Sequence, residues 1–129
     1  MRSTPPTIPV FGFQHDILRA LIEATTDFVY VKDCVATVGW LLRNPKVTGL
    51  FNVGTGVARS FLDLVNAVAA AVGRSPKIRF IDTPTELRDK YQYFTRADIT
   101  KLRSAGFDQP FHSLEDGTRD FVDCMRDAE

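Results

Sequence analysis

The glycine pair Gly54-x-Gly56 is the pattern in this sequence that comes closest to a phosphate-binding loop. It follows the apolar run 50–53 and precedes a helical pattern, and glycine-rich loops in that position present backbone amides to phosphate. The dinucleotide fingerprint requires a third glycine, but Arg59 stands there. It also requires an acidic residue about 20 positions later, where Arg79 and Phe80 stand and the nearest acid is Asp82. We therefore favour a structural turn between a strand and a helix, with a cofactor loop as the alternative.

A second candidate site is the basic segment 88–94, in which Tyr91 and Tyr93 flank Gln92. A phenol beside lysine and arginine side chains could hold an anionic ligand through hydrogen bonds and charge. The alternative is an amphipathic strand whose polar face is solvated. The residue types alone leave both interpretations open.

The remaining candidates for acid–base or metal chemistry have structural explanations. Asp27 and Asp33 flank an apolar stretch, where carboxylates usually serve as turn or cap residues. His15 and His112 have no Cys, Asp or Glu at the spacing of metal ligands, so we assign both histidines to packing or surface roles. No Gly-x-Ser-x-Gly element supports hydrolase chemistry.

Composition limits the class of protein. The 129 residues, 44% hydrophobic with ten Phe, suffice for one packed domain, and the formal net charge of zero argues against nucleic acid or an anionic membrane as partner. Cys34 and Cys124 lie far apart, which is typical of a reduced, cytoplasmic protein. No apolar run approaches ~20 residues, so we expect no membrane span.

The elements that would position these residues alternate between strands and helices. Apolar β-formers predict strands over 27–33, 50–53 and 77–82. Periodic apolar residues with capping signals predict helices over 15–24, from Asp33 to Pro45, from Ser60 to Gly73, from Thr95 to Gly106, and from Ser113 onward. The pattern indicates an α/β fold with a few strands, flanking helices and a helical tail.

Several stretches together resemble one enzyme family. DFVYVKD with its following helix, and LFNVGTG with its Ser-capped helix, are similar to the C-terminal half of the extended short-chain dehydrogenase/reductases, the NAD-dependent sugar-nucleotide epimerases and dehydratases. The stretch KYQYFTRADITKLRSAGFDQPFHSLEDGTRDF looks more specifically like that of the ADP-L-glycero-D-manno-heptose 6-epimerases. The resemblance covers roughly residues 26–127.

The resemblance implies a specific fold and chemistry. The family combines a Rossmann domain that binds NADP with a smaller C-terminal domain that binds the sugar nucleotide. The heptose enzyme is an isomerase that oxidises and re-reduces one sugar carbon of an ADP-sugar, for the lipopolysaccharide inner core. Its members tend to be cytoplasmic oligomers. The family's substrate-binding tyrosine falls on Tyr91 of this sequence.

This sequence also departs from the family pattern. Neither the N-terminal Gly-rich loop nor the Tyr-x-x-x-Lys pair is present, and Thr26 stands where the family usually has arginine. The Pro-rich start and short helix of residues 1–25 do not match, so we divide the chain into 1–25 and a substrate-side portion, 26–129. This division assigns no catalytic, cofactor-binding or metal residue to the chain.

We therefore expect a truncated epimerase that a separate Rossmann half would have to complement. The alternatives are an inactive remnant that binds a sugar nucleotide or contacts a protein, and a piece of another sugar epimerase or dehydratase. The apolar segments 28–33 and 50–55, normally covered on both faces, predict exposed apolar surface and homo-oligomerisation or poor solubility.

Overall fold

The structure, a computed structural model, describes residues 8–11, 24–81, 86 and 92–128. Its elements, in chain order, are β1 (Ile8–Phe11), β2 (Thr25–Asp27), α1 (Val31–Arg43), β3 (Ala58–Ser60), α2 (Phe61–Val72), β4 (Ile78–Ile81), α3 (Thr100–Ser104) and α4 (Leu114–Asp127). The predicted helix over 15–24 and the candidate residues His15 and Tyr91 lie outside the described residues. The α/β class with a helical tail is confirmed.

The strands form two small sheets. β1 pairs with β4 in parallel, and β2 pairs with β3 antiparallel, so that Thr26 lies opposite Arg59. The segment after Gln92 extends the second pair. The Thr25 amide donates to the Tyr93 carbonyl at 3.0 Å, and the Thr95 amide donates to the Thr25 carbonyl at 3.0 Å. The second sheet therefore joins the start of the matched region to residues 93–95.

Two predicted strands are wrong. Of the strand predicted over 27–33, only Asp27 lies in a strand, at the end of β2. α1 already begins at Val31, because the Tyr30 carbonyl accepts the amides of Asp33 and Cys34 and so closes a first helical turn. Asp33 therefore lies inside that turn instead of capping it. Residues 50–53 are irregular backbone. There the Leu50 carbonyl accepts the Lys101 ammonium at 2.7 Å, a side-chain contact in place of a ladder bond.

The capping residues predicted for α2 and α4 are confirmed. Ser60 and Asp63 form a reciprocal capping box, and Gly73 ends α2 in the left-handed region at φ 75°. The Ser113 hydroxyl accepts the Asp116 amide at 3.0 Å at the start of α4. The helix start predicted at Thr95 is wrong. The Thr95 hydroxyl donates to Gln92 at 3.3 Å, and α3 spans only Thr100–Ser104.

The core is small and lies where α1, α3 and the loop after α3 meet. Leu102 and Phe107 are fully buried, and Thr37 is buried with its hydroxyl satisfied by the Asp33 carbonyl at 2.9 Å. The Trp40 ring meets Phe107 edge to face, with 5.5 Å between the ring centroids. Elsewhere α2 packs against α4.

Candidate functional site

The carboxylate of Asp27 binds the glycine loop, and we call Asp27, Thr55, Gly56 and Ala97 the Asp27 clamp. Its Oδ1 accepts the Thr55 amide at 2.9 Å and the Thr55 hydroxyl at 2.5 Å. Its Oδ2 accepts the Gly56 amide at 2.9 Å and the Ala97 amide at 3.1 Å. The loop amides that a phosphate would need are therefore bound to a protein carboxylate, as the turn interpretation requires.

The glycines are needed for close packing and for backbone conformation. A Cβ on Gly54 would lie 2.6 Å from the Ala97 Cβ and 2.7 Å from the Asp27 Oδ2, too close for either neighbour. Gly56 has φ +75°, in the left-handed region that favours glycine. Gly54 thus allows residue 97 to approach the loop, and Gly56 turns its amide toward Asp27.

The electrostatics of the clamp favour an ionised Asp27. Burial opposes the charge, but hydrogen bonds from the side chain and amide of Thr55, and from the amides of Ala97 and Gly56, outweigh it. The pKa of the Asp27 carboxyl is therefore held below its usual value of 3.8. Asp27 is an anchoring anion and is unsuited to act as a general base near neutral pH.

A surface cavity of about 440 Å³ borders the clamp. It is lined by Asp27, Phe51, Asn52, Val53, Thr95, Arg96 and Ala97. Arg96 supplies a cation, and its guanidinium carbon lies 6.0 Å from the centroid of the Phe94 ring. Tyr91 precedes this segment by a few residues and lies outside the described residues, so the structure does not test its predicted role.

Arg59, the residue at the position of the missing third glycine, is an ion-pair centre. Its guanidinium contacts the Glu115 carboxylate with both terminal nitrogens, at 2.7 and 3.3 Å, and Asp63 at 3.3 Å. The hydrogen bonds with Glu115 and then Asp63 raise the pKa of Arg59. The residue ties β3 to the first turn of α4, which a glycine could not do.

The segment that precedes and begins α1 makes two contacts that were not predicted from the sequence. Asp33 is buried and accepts the His112 backbone amide at 2.8 Å, and its second oxygen lies 2.6 Å from the His112 Nδ1. The His112 ring also meets the Tyr30 ring edge to face. Asp33 and His112 therefore form a structural pair, separated by 79 positions, that no local spacing rule could reveal.

A polar cluster lies beside this pair. Asp120 accepts hydrogen bonds from the Tyr30 hydroxyl and, at 2.6 Å, from the Lys32 ammonium, while the Lys32 nitrogen also lies 3.5 Å from the Cys124 sulfur. The hydrogen bond to Asp120 raises the pKa of Tyr30 and of Lys32, and the bonds from Lys32 and Tyr30 lower the pKa of Asp120. Tyr30 and Lys32 thus share one carboxylate partner.

The described residues offer neither a metal site nor a membrane span. Within the described ranges, no group of three or more His, Cys, Asp and Glu side chains could hold a metal ion. In the same part of the chain, no helix has the length and apolar character needed to cross a membrane.

Comparison with known proteins identifies the relatives. The chain is 56% identical over 96 residues to the ADP-L-glycero-D-manno-heptose-6-epimerase of Nitratidesulfovibrio vulgaris (strain DP4), covering 74% of this chain and 30% of that protein. It is 42% identical over 106 residues to the enzyme of the same name from Alkalilimnicola ehrlichii, covering 82% and 33%. The chain thus spans about a third of the length of these curated relatives. No family model matches it.

Solved structures show the same fold. UDP-glucose 4-epimerase of Thermus thermophilus, in complex with NAD, is 24% identical with a TM-score of 0.74, covering 95% of this chain and 36% of that one. UDP-glucuronic acid 4-epimerase of Bacillus cereus is 25% identical with a TM-score of 0.70, at the same coverage. The chain is therefore related, in sequence and fold, to the C-terminal portion of the ADP-L-glycero-D-manno-heptose 6-epimerases, within the extended short-chain dehydrogenase/reductases.

Proposed function

We propose that residues 26–129 form the sugar-nucleotide side of an ADP-L-glycero-D-manno-heptose 6-epimerase, which serves the synthesis of the lipopolysaccharide inner core. The observation that carries this proposal is the 56% identity with the Nitratidesulfovibrio vulgaris enzyme over 96 residues. The Asp27 clamp supports it, because it fixes residue 97 of the segment that begins at the candidate substrate residue, Tyr91.

The proposed reaction needs a second component. Oxidation and re-reduction of a sugar carbon require a positioned nicotinamide and a general acid–base group. The 129 residues contain neither a G-x-G-x-x-G loop nor a Tyr-x-x-x-Lys pair. We propose that a Rossmann domain, on another polypeptide or in a longer form of this protein, supplies NADP and the proton-transfer residues.

One face of α1 is suited to contact such a domain. Val31, Val35, Val38 and Leu42 are spaced by four, three and four residues, and they form what we call the α1 stripe. Their exposed fractions are 60%, 66%, 57% and 78%, whereas an apolar row on a helix is normally turned toward the core. The α1 stripe would be covered if the proposed Rossmann domain packed on it.

Complementation tests this proposal. The Nitratidesulfovibrio vulgaris enzyme without the segment that matches this chain would be purified and mixed with the chain and NADP, and epimerisation of the ADP-heptose would be followed. We expect turnover from the mixture and none from either part alone. Turnover by this chain alone would contradict the need for a second component.

A specificity control completes that experiment. An ADP-heptose and a UDP-hexose would be offered to the same mixture, because the solved neighbours are epimerases of UDP-sugars. Epimerisation of the UDP-sugar alone would identify a piece of another sugar-nucleotide epimerase. Val35→Lys should weaken complementation, and Ser75→Lys, at an exposed position outside the α1 stripe and outside segment 50–55, should not.

The cavity beside the Asp27 clamp favours a second candidate, a module that binds a sugar nucleotide without turnover. Arg96 provides a cation within that cavity, and such a site needs no nicotinamide. Calorimetric titration with ADP, comparing the original chain with Tyr91→Phe and Arg96→Gln, tests it. Weaker binding in both variants supports the module, and equal affinity would remove the altered residue from the site.

A further inference from the structure

A lysine and a cysteine from distant parts of the chain meet beside α4. The Lys32 nitrogen lies 3.5 Å from the Cys124 sulfur, although 92 positions separate the two residues. Both side chains are exposed, so a small oxidant can reach the sulfur. This distance is close to van der Waals contact between the nitrogen and the sulfur.

Asp120 holds the pair together. It lies four residues before Cys124 on α4, and helical residues four apart lie on one face. Its Oδ2 accepts the Lys32 ammonium at 2.6 Å and lies 3.9 Å from the Cys124 sulfur. The Tyr30 hydroxyl donates to the same oxygen and restricts that carboxylate further. The nitrogen is therefore directed at the sulfur by a fixed neighbour.

We propose that Lys32 and Cys124 form a reversible covalent crosslink, a sulfenamide, when hydrogen peroxide oxidises the thiol. The structure assigns this modification to the contact between the two side chains, and it is independent of the epimerase proposal. The crosslink would tie the first turn of α1 to α4 across one wall of the apolar groove that Val31 and Phe121 line.

The chemistry balances with one peroxide. The Cys124 thiolate attacks one peroxide oxygen, so that an S–O bond forms, the O–O bond breaks and hydroxide leaves; sulfur is oxidised and peroxide is reduced. That hydroxide takes a proton from the Lys32 ammonium and becomes water. The neutral amine then attacks the sulfenic sulfur, forming an S–N bond. The S–O bond breaks, and the departing hydroxide takes one proton from the attacking nitrogen and leaves as a second water.

The alternative fates of the thiol differ in mass. A sulfenamide lowers the mass of the chain by two hydrogens, whereas a sulfenic or sulfinic acid adds oxygen. A disulfide between Cys34 and Cys124 would also remove two hydrogens. The experiment therefore uses Cys34→Ser as its parent, which leaves Cys124 as the sole thiol of the 129-residue sequence.

The purified Cys34→Ser chain would be treated with dilute hydrogen peroxide and analysed by intact mass and tryptic mapping without reductant. We expect a loss of two hydrogens, a thiol that no longer reacts with iodoacetamide, and a peptide that joins the Lys32 and Cys124 segments with no cleavage at Lys32. Dithiothreitol should restore the original mass.

Three variants made in the Cys34→Ser parent decide the outcome. Lys32→Arg keeps the positive charge beside Asp120 but lacks the amine, so the crosslinked peptide should be lost. Cys124→Ser should lose it as well, and Lys46→Arg, a lysine outside the cluster, should retain it. The proposal is overturned if oxygen adds to Cys124 while Lys32 is still cleaved, or if Lys32→Arg still loses two hydrogens.

Discussion

The Asp27 carboxylate accepts the backbone amide of Gly56 at 2.9 Å, and this contact explains why the glycine loop lies beside β2 in space. The same carboxylate accepts the amide of Ala97, so one side chain joins three segments of the chain. A loop without a strand partner still needs acceptors for its backbone amides. A partly buried carboxylate can accept several of these amides and so hold the loop in place.

Removing the charge of the clamp should destabilise the protein. Asp27→Asn keeps the shape of the side chain, but its NH₂ group must face amide donors where Oδ1 or Oδ2 now accepts them. Leaving such donors unpaired costs about 2 kcal/mol of the free energy of unfolding. Urea unfolding followed by circular dichroism measures this loss. Asp108→Asn, at an exposed position, should change stability by less than about 0.5 kcal/mol.

The pH dependence of stability should report the same clamp. The pKa of Asp27 is lowered from 3.8 in the folded protein, so its contribution is present above that value and is lost as pH falls through the lower, folded-state pKa. The stability difference between the original chain and Asp27→Asn should therefore shrink as pH drops below about 4. Urea midpoints between neutral pH and about pH 3 test this. A constant difference would contradict it.

Local signals in the sequence predicted the elements that depend on neighbours in the chain. The Ser60–Asp63 and Ser113–Asp116 caps and the Gly73 end of α2 all follow from contacts within a few residues. The strand prediction over 27–33 was wrong because local propensity was not decisive there. The β-formers of this segment indicate a strand, but the local turn at Tyr30 and the distant partner of Asp33 favour a helix from Val31.

The candidate site was predictable only in part. The glycine pair and Asp27 were recognised separately, but their contact joins positions 28 and 29 residues apart, and no periodicity reports it. Arg59, in place of the third glycine, favoured a structural turn over a dinucleotide loop. Its actual partner, Glu115, lies 56 residues away. Long-range ion pairs and clamps follow from the tertiary fold, which local propensity does not encode.

Gly54→Ala should be among the more damaging small substitutions in the chain. The added Cβ would meet the Ala97 Cβ at 2.6 Å and the Asp27 Oδ2 at 2.7 Å, so the clamp must open to admit it. We expect a loss of about 2 kcal/mol or more in the free energy of unfolding. Thermal and urea unfolding would measure it.

Gly39→Ala is the matched control and should have the opposite sign. Gly39 lies inside α1, and its added Cβ would meet only the flexible end of Arg43 at 3.3 Å. Alanine favours a helix interior by about 1 kcal/mol over glycine. If both variants lost the same stability, the damage at Gly54 could not be assigned to the clamp.

The α1 stripe should drive self-association when the chain is alone. Val35 is 66% exposed and Val38 is 57% exposed, so neither contributes much to the fold of the monomer. Burying such residues between two copies would remove apolar surface from water at about 25 cal/mol per Å². We expect Val35→Lys with Val38→Lys to shift the chain toward monomer in analytical ultracentrifugation without lowering its unfolding midpoint. Ser75→Lys, at an exposed position outside the α1 stripe and outside segments 28–33 and 50–55, should leave the association unchanged. A chain that sediments as a monomer before any substitution would refute this prediction, because there would be no association for the lysines to disrupt.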